Sequence, residues 1–477
     1  MAAVLLGAVA VFSPIQPVYG GFGTILEIED DNTGGDCDLI GKWNDKTKTC
    51  RLTVDLDGGD RIEIEDDNIT LNCADHVLDG DGSVETGIGL GDRSFVTVKN
   101  CNVTQFRNGI SLNLASNNIL QNNNVYDIYE FGIFLNTSNE NTLLGNTSNE
   151  NGLNGFTILN SDDNTLKGNT ANGNGIDNAG NEHGFSISES NGNTLADNTA
   201  NYNIGNGMDI RESVENILNG NTANENGVIG IGLFDFSDMN SLNDNIANDN
   251  GANGIEVNRS DENTLNGNTA NENDQRGIFL FRSNDTTLEG NTANENVFHG
   301  IALNNSHDNI LIGNTANENV FEGILLFGSD DNTLNGNTCN DNDLTGIRLL
   351  SSDDNILIGN TANENKEFGI IIQISNNNTL NGNTANENVF GGILLNESDN
   401  NTLIGNLAFK NLLDGFFLNS DSDGNTLEDN EAKNNDGFGF IDEEIDGPGD
   451  DNTYTDNKCV ANGSGGSDPT GLCSPQT

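Results

Sequence analysis

Two carboxylates and one arginine are the side chains best placed for chemistry: Asp209, Glu256 and Arg211. A pair of acids on one face is the residue set of general acid–base work on a glycosidic bond, and a guanidinium beside them would hold an anionic sugar. The two acids lie two coils of a repeat apart, about 10 Å at the spacing of neighbouring strands. That slightly exceeds the range of about 6.5–9.5 Å of an inverting pair. Copper would need imidazole or sulfur donors, and His76, His183, His299 and His307 with Met208 and Met239 supply no close pair within one coil. His299 and His307 share a coil but fall on different strands or turns. For calcium, Asp79-Gly80-Asp81-Gly82-Ser83 opens like a loop but lacks the acid an EF-hand needs at its last position. Weak Ca2+ binding along turn carboxylates is the one cofactor expectation that remains; no other metal or cofactor is expected.

What positions these residues is a repeat. The Asn of a Leu-x-Gly-Asn-Thr-Ala phrase recurs at Asn268, Asn291, Asn314, Asn337, Asn360, Asn383 and Asn406, always 23 residues on. Upstream it falls at Asn123, Asn146, Asn169, Asn198, Asn221 and Asn245. A short fixed period means a solenoid whose units bury their apolar side chains only against their neighbours. In Asn378 to Asn400 the apolar residues are Leu380, Ala385, Ile393 and Leu395, and the last two are two apart. That is strand alternation, and Gly and Asn punctuate too often for any helix. Three short strands per repeat predict an all-β, single-stranded parallel β-helix of about 17 coils. The Ser and Asn columns, such as Ser283, Ser306 and Ser329 or Asn309, Asn332 and Asn355, read as stacked ladders and turn formers.

With Ile and Leu inward, the residues between and after them on the Gly-Ile-x-Leu strand face out. Those are Ser111, Asn113, Ser186 and Ser188, then Asp209 and Arg211, then Glu256. An apolar band follows: Phe279, Phe281, Leu325, Phe327, Leu350, Ile371, Leu394 and Phe417, with Arg348 inside it and Arg259, Arg276 and Arg282 in flanking turns. Such a band predicts a contact surface for a sugar ring, another subunit or a partner protein.

The 74 acids and 18 bases, a net charge of −56, exclude nucleic acid as a partner. Ala2–Phe12 is an apolar run suited to a signal-peptide core and too short to span a bilayer. The expected organisation is a signal peptide over 1–20, an N-terminal cap over 21–51, the β-helix over 52–457 and a C-terminal cap over 458–477. Cys37 with Cys50, and Cys459 with Cys473, are disulfide candidates at the two ends; Cys73 and Cys101 stack or bond; Cys339 replaces an inward Ala as a buried thiol. The protein is expected to be secreted or on the cell surface, and periplasmic in a double-membraned bacterium.

The passage ITLNCADHVLDGDGSVETGIGLGDRSFVTVKNCNVTQFRNGISL (Ile69–Leu112), with the NTLxGNTANENxxxGIxL repeats after it, resembles the NosD-type right-handed β-helix proteins. These belong to the wider pectin-lyase-like group that includes the carbohydrate-binding and sugar-hydrolysis (CASH) domains. The resemblance implies the fold and three kinds of role: cleavage or epimerisation of acidic polysaccharides, periplasmic copper-site maturation, or an extracellular role without assigned activity. The catalytic motifs of the group are missing. His183-Gly184-Phe185 and His299-Gly300-Ile301 echo a Gly-His-Gly without its first Gly, Asp330-Asp331 recurs as a turn, and neither Arg-Ile-Lys nor Asp-Pro-His occurs. The leading expectation is therefore a carbohydrate- or protein-binding scaffold. A polysaccharide lyase, hydrolase or epimerase comes next, and a copper-site accessory protein third.

Overall fold

A computed structural model describes residues 23–82, 85–175, 182–443 and 451–475. The signal-peptide expectation lies outside the described residues, as do 176–181, within the 29-residue step from Asn169 to Asn198, and the acidic Gly/Pro stretch 444–450. Each 23-residue repeat forms one turn with three strands, so three sheets run along the rod. Sheet A stacks nineteen strands from Ile25–Ile28 to Gly465–Asp468, which sets about 18 turns. Sheet B holds the Thr-Leu-x strands, such as Thr287–Glu289. Sheet C holds the Thr-Ala-Asn segments, joined through its middle by single bridges such as Thr292↔Thr315. Every strand pairs in parallel except the hairpin Gly41–Asn44 with Thr49–Leu52.

Stacking reaches further than the repeat phrase suggests. Ile25–Ile28 already pairs with Arg61–Ile64, inside the segment expected as a cap, because Leu26 and Ile28 repeat the inward alternation of Ile62 and Ile64. At the other end Ser474–Pro475 still pairs with the strand at Cys459. The disulfides Cys37–Cys50 and Cys459–Cys473 staple these ends, and Cys73–Cys101 joins two early turns.

The core is four thin rows. In the specimen repeat Leu380, Ala385, Ile393 and Leu395 are all fully buried. Between sheets C and A the chain turns so tightly that only Gly fits: a Cβ on Gly300 would meet the Ala316 Cβ at 2.7 Å and the Asn319 amide at 2.7 Å. Small inward Ala and preceding Gly are thus one device. Cys339 takes the Ala position, fully buried and unbonded, and burial pushes its thiol pKa up.

Asn ladders close the corners. Asn291 donates its Nδ2 to Oδ1 of Asn314 at 2.9 Å and to the Leu265 carbonyl at 2.9 Å, while its backbone N–H also reaches Asn314 Oδ1 at 2.9 Å. The same bonds recur turn after turn, so buried amides do the work that backbone partners do elsewhere. The serine column is tied likewise, with Ser283 N–H donating to Ser306 Oγ at 3.1 Å.

Candidate functional site

The outer face of sheet A collects the residues with chemical potential. Strand pairing places Glu256, Phe279, Ala302, Leu325, Arg348, Ile371, Leu394 and Phe417 in one unbroken outward row. A second row beside it runs Asn258, Phe281, Asn304, Phe327 and Leu350. The band is less exposed than its composition suggests. Phe327 is 42% exposed, but Ile371 is only 7% exposed, because neighbours at the strand spacing cover one another. Ala302 and Glu256 are buried too, and the remaining members are half-buried.

Asp209 and Glu256 stand two strands apart on this face, with Gly232 between them. The space above Gly232 is filled: the Phe234 ring folds back so closely that a Cβ on Gly232 would lie 2.1 Å from Cε2. Arg211 caps that ring at 4.4 Å from its centroid. Asp209 is 2% exposed, and both its oxygens are engaged. Oδ1 accepts from Asn206 Nδ2 at 2.7 Å and Arg211 Nη2 at 3.1 Å, and Oδ2 accepts from Arg211 Nε at 2.7 Å. Glu256 accepts from Asn253 Nδ2 at 2.8 Å and Asn258 Nδ2 at 3.0 Å. The Phe234 ring thus stands over the strand between the two acids, and each carboxylate has both oxygens in hydrogen bonds.

Sequence reading missed a third row, two residues before each sheet A strand. It carries His183, Asn206, Asn253, Arg276, His299 and Glu322. The signal was present as the polar residue preceding Gly-Ile, yet the histidines there read only as copper donors or as parts of a Gly-His-Gly. His183 and His299 are instead each 8% exposed. His183 Nδ1 accepts from the Asn206 backbone N–H at 3.0 Å, which leaves Nε2 to carry the proton 3.9 Å from Asp209. Burial holds its pKa below the usual imidazole value, against the opposing pull of Asp209. His299 Nδ1 lies beside the buried Glu322, which also takes Arg348 Nη1 at 3.1 Å. The rings of Phe298 and Phe321 stack at 5.0 Å next to this centre.

Strand Ile278–Phe281 has its own arrangement. Arg276 stacks on Phe279 at 4.3 Å, Arg282 stacks on Phe281 at 5.1 Å, and the two phenyl rings are 6.1 Å apart.

Copper does not fit these donors. Among the described residues no three His, Cys, Asp or Glu side chains gather as a metal set. His183 has Nδ1 committed to a backbone N–H, Met208 points into the core, and the one free thiol is buried. The inner turn aspartates are committed as well: Asp261 Oδ1 accepts the Asn284 N–H at 2.7 Å, and Asp330 Oδ1 accepts that of Asp353 at 2.8 Å.

Among the described residues no helix is long and apolar enough to cross a membrane. No curated protein matches the chain. Among solved structures, the chain is similar to the A-module of the Azotobacter vinelandii mannuronan C-5 epimerase AlgE6. Identity is 15%, coverage 65% of this chain and 88% of that one, and the TM-score 0.45. The periplasmic alginate epimerase AlgG is similar at 16% identity, 80% and 84% coverage and a TM-score of 0.36. The enzymatically active domain of bacteriophage CBA120 tailspike protein 2 matches at 12% identity, 57% and 44% coverage and a TM-score of 0.34. Likenesses of this size extend no activity to the chain. The family profile "Right handed beta helix region" matches residues 176–293 and 275–408. The profile "Periplasmic copper-binding protein (NosD)" matches residues 32–181 and 361–470, more than half of the chain. The protein belongs to the NosD family of right-handed parallel β-helix repeat proteins.

Proposed function

We propose that this protein is a secreted or cell-surface scaffold, periplasmic in a double-membraned bacterium, that binds a polysaccharide or a partner protein along the outer face of sheet A. The observation that supports this reading is a contrast on that face. Asp209 and Glu256 have both oxygens engaged in hydrogen bonds, whereas Phe279, Phe281, Leu325 and Phe327 keep part of their surface open. Half-open aromatics beside arginines suit contact, and carboxylates already engaged by amides and a guanidinium are less suited to proton transfer. The Phe279→Asp, Phe327→Asp double variant is expected to abolish capture of ligands found on an unbiased glycan array or in a surface-protein pulldown, with its unfolding midpoint unchanged. Undiminished capture by the double variant would remove the reading.

A polysaccharide-modifying enzyme is the second reading, favoured by the contact between His299 and Glu322 at 3.0 Å on the same face. It predicts chain shortening or epimerised residues in uronate polymers, lost in Glu322→Gln, Asp209→Asn and Glu256→Gln variants. The copper-accessory reading has no donor set behind it; metal retained after dialysis of the purified protein would revive it.

A further inference from the structure

The nine arginines of this chain are not scattered. After Arg107 the remaining five, Arg211, Arg259, Arg276, Arg282 and Arg348, all lie on sheet A strands or the turns flanking them, and 108–210 and 349–477 contain none. In a chain of net charge −56 this gathers the fixed guanidinium charge of the long middle and end of the rod onto one face. Three of the five are neutralised: Arg211 by Asp209 and Asp235, Arg259 by Asp235, and Arg348 by Glu322.

Arg276 and Arg282 are not. Neither makes an ion pair among the described residues, although 74 acids are available in the chain. They bracket a single strand, Ile278–Phe281, each guanidinium lying over one of its two outward phenyl rings. The order across the strand is therefore cation, ring, ring, cation. Arg276 Nε is buried without a hydrogen-bond partner, and burial holds the Arg276 pKa down against the pull of Glu256. A buried guanidinium N–H without an acceptor is costly, and an anion at Arg276 would offset the desolvation that no ion pair offsets here. Arg282 adds a second guanidinium without an ion pair among the described residues, whereas Arg259, at the equivalent turn position one coil earlier, pairs with Asp235.

From this we infer that the strip Arg276–Phe279–Phe281–Arg282 is a subsite for an acidic saccharide, with carboxylate or sulfate groups on the two guanidiniums and the sugar's C–H faces on the rings. Guanidinium matches the forked oxygens of either anion in a bidentate way that ammonium does not. Two neighbouring apolar platforms between the cations suit ring-shaped units, whereas an acidic peptide would offer the rings no such faces. The inference rests on sheet A being the binding face and adds the chemistry of what binds there.

The test uses the full-length protein and isothermal titration with oligogalacturonate, a heparin-derived oligosaccharide, a neutral maltooligosaccharide of matched length and oligoglutamate. Binding of a uronate or sulfated oligosaccharide, weaker with rising salt, is expected, with no binding of the neutral sugar or the peptide. Arg276→Gln and Arg282→Gln are each expected to weaken it about tenfold, the worth of one charge-assisted hydrogen bond. Arg→Lys variants at both positions recover only part, because a point charge lacks the fork. Matching thermal midpoints establish that the variants fold. Equal binding of the neutral sugar, or no effect of either Gln substitution, overturns the acidic-ligand inference while leaving sheet A as a binding face. Binding of oligoglutamate alone overturns the saccharide assignment. Binding that survives Phe279→Asp with Phe327→Asp overturns the face itself.

Discussion

Nδ1 of His299 lies 3.0 Å from Oε2 of Glu322, its equivalent one turn further along the rod. Burial raises the Glu322 carboxyl, and the His299 ring and the Arg348 guanidinium more than reverse this, so its pKa ends below the ordinary value. A carboxyl whose folded pKa is depressed contributes stability above its unfolded pKa of about 4.3 and loses it as pH falls through the folded value. Glu322→Gln should cost about 2 kcal/mol near neutrality, since it leaves Arg348 half-buried and short of a partner. The gap between wild type and variant should close below about pH 4. Thermal melts across that range check it; a gap that widens in acid would contradict it.

His183 should act in a higher window. Its pKa is lowered by burial, so the unfolded chain takes up a proton first and stability falls as pH drops below about 6.5. His183→Gln should flatten the stability profile just below about pH 6.5 relative to wild type. Parallel profiles for the two proteins would show that the imidazole stays outside the linkage.

The amide ladder should be far more sensitive than the outer asparagines. Replacing Asn314 by Ala removes the acceptor of one Asn291 Nδ2–H and of the Asn291 backbone N–H, and the side-chain donor to the Leu288 carbonyl, in a buried corner. At about 1–3 kcal/mol for each buried unsatisfied group, a loss of at least about 3 kcal/mol is expected. Asn381→Ala, on the exposed face of sheet B, should stay within about 0.5 kcal/mol. Denaturant midpoints compare the two directly.

Salt should stabilise this protein. Glu272, Glu295 and Glu318 occupy the same exposed left-handed turn position in successive coils (each φ 57°), continued by Asp341 and Glu364. Unit charges at the strand spacing repel by about 0.9 kcal/mol per neighbouring pair even in water. Screening shortens from about 10 Å at 0.1 M to about 3 Å at 1 M ionic strength, so the unfolding midpoint should climb across that range. The Glu295→Gln, Glu318→Gln variant should show a shallower climb. Identical slopes would place the effect elsewhere on the surface.

Cys339→Ala should be almost neutral, because Ala is the residue its neighbours already accommodate, as at Ala316 and Ala362. In the wild type, a thiol reagent should label Cys339 at the rate of unfolding and no faster. Rapid labelling of the folded protein would mean that the corner between sheets C and A opens locally.

The period, the inward rows and the outward register of sheet A were all legible in the residues. Identical phrases at a fixed step can only stack on themselves, and alternation along Gly-Ile-x-Leu assigns faces without coordinates. Asp209, Glu256, Phe279 and Arg348 therefore lie on the face that alternation assigns them. Several things were not legible, because they depend on where side chains go once they leave the strand. Nothing in the order of residues says that Phe234 folds back over Gly232, on the strand between two acids, or that Ile371 is covered by its neighbours. Residues 23 apart are lateral neighbours at the strand spacing, so His299 meets Glu322 and Asn291 meets Asn314. Only the stacked rod turns a repeated letter into a contact, a ladder or an uncompensated charge.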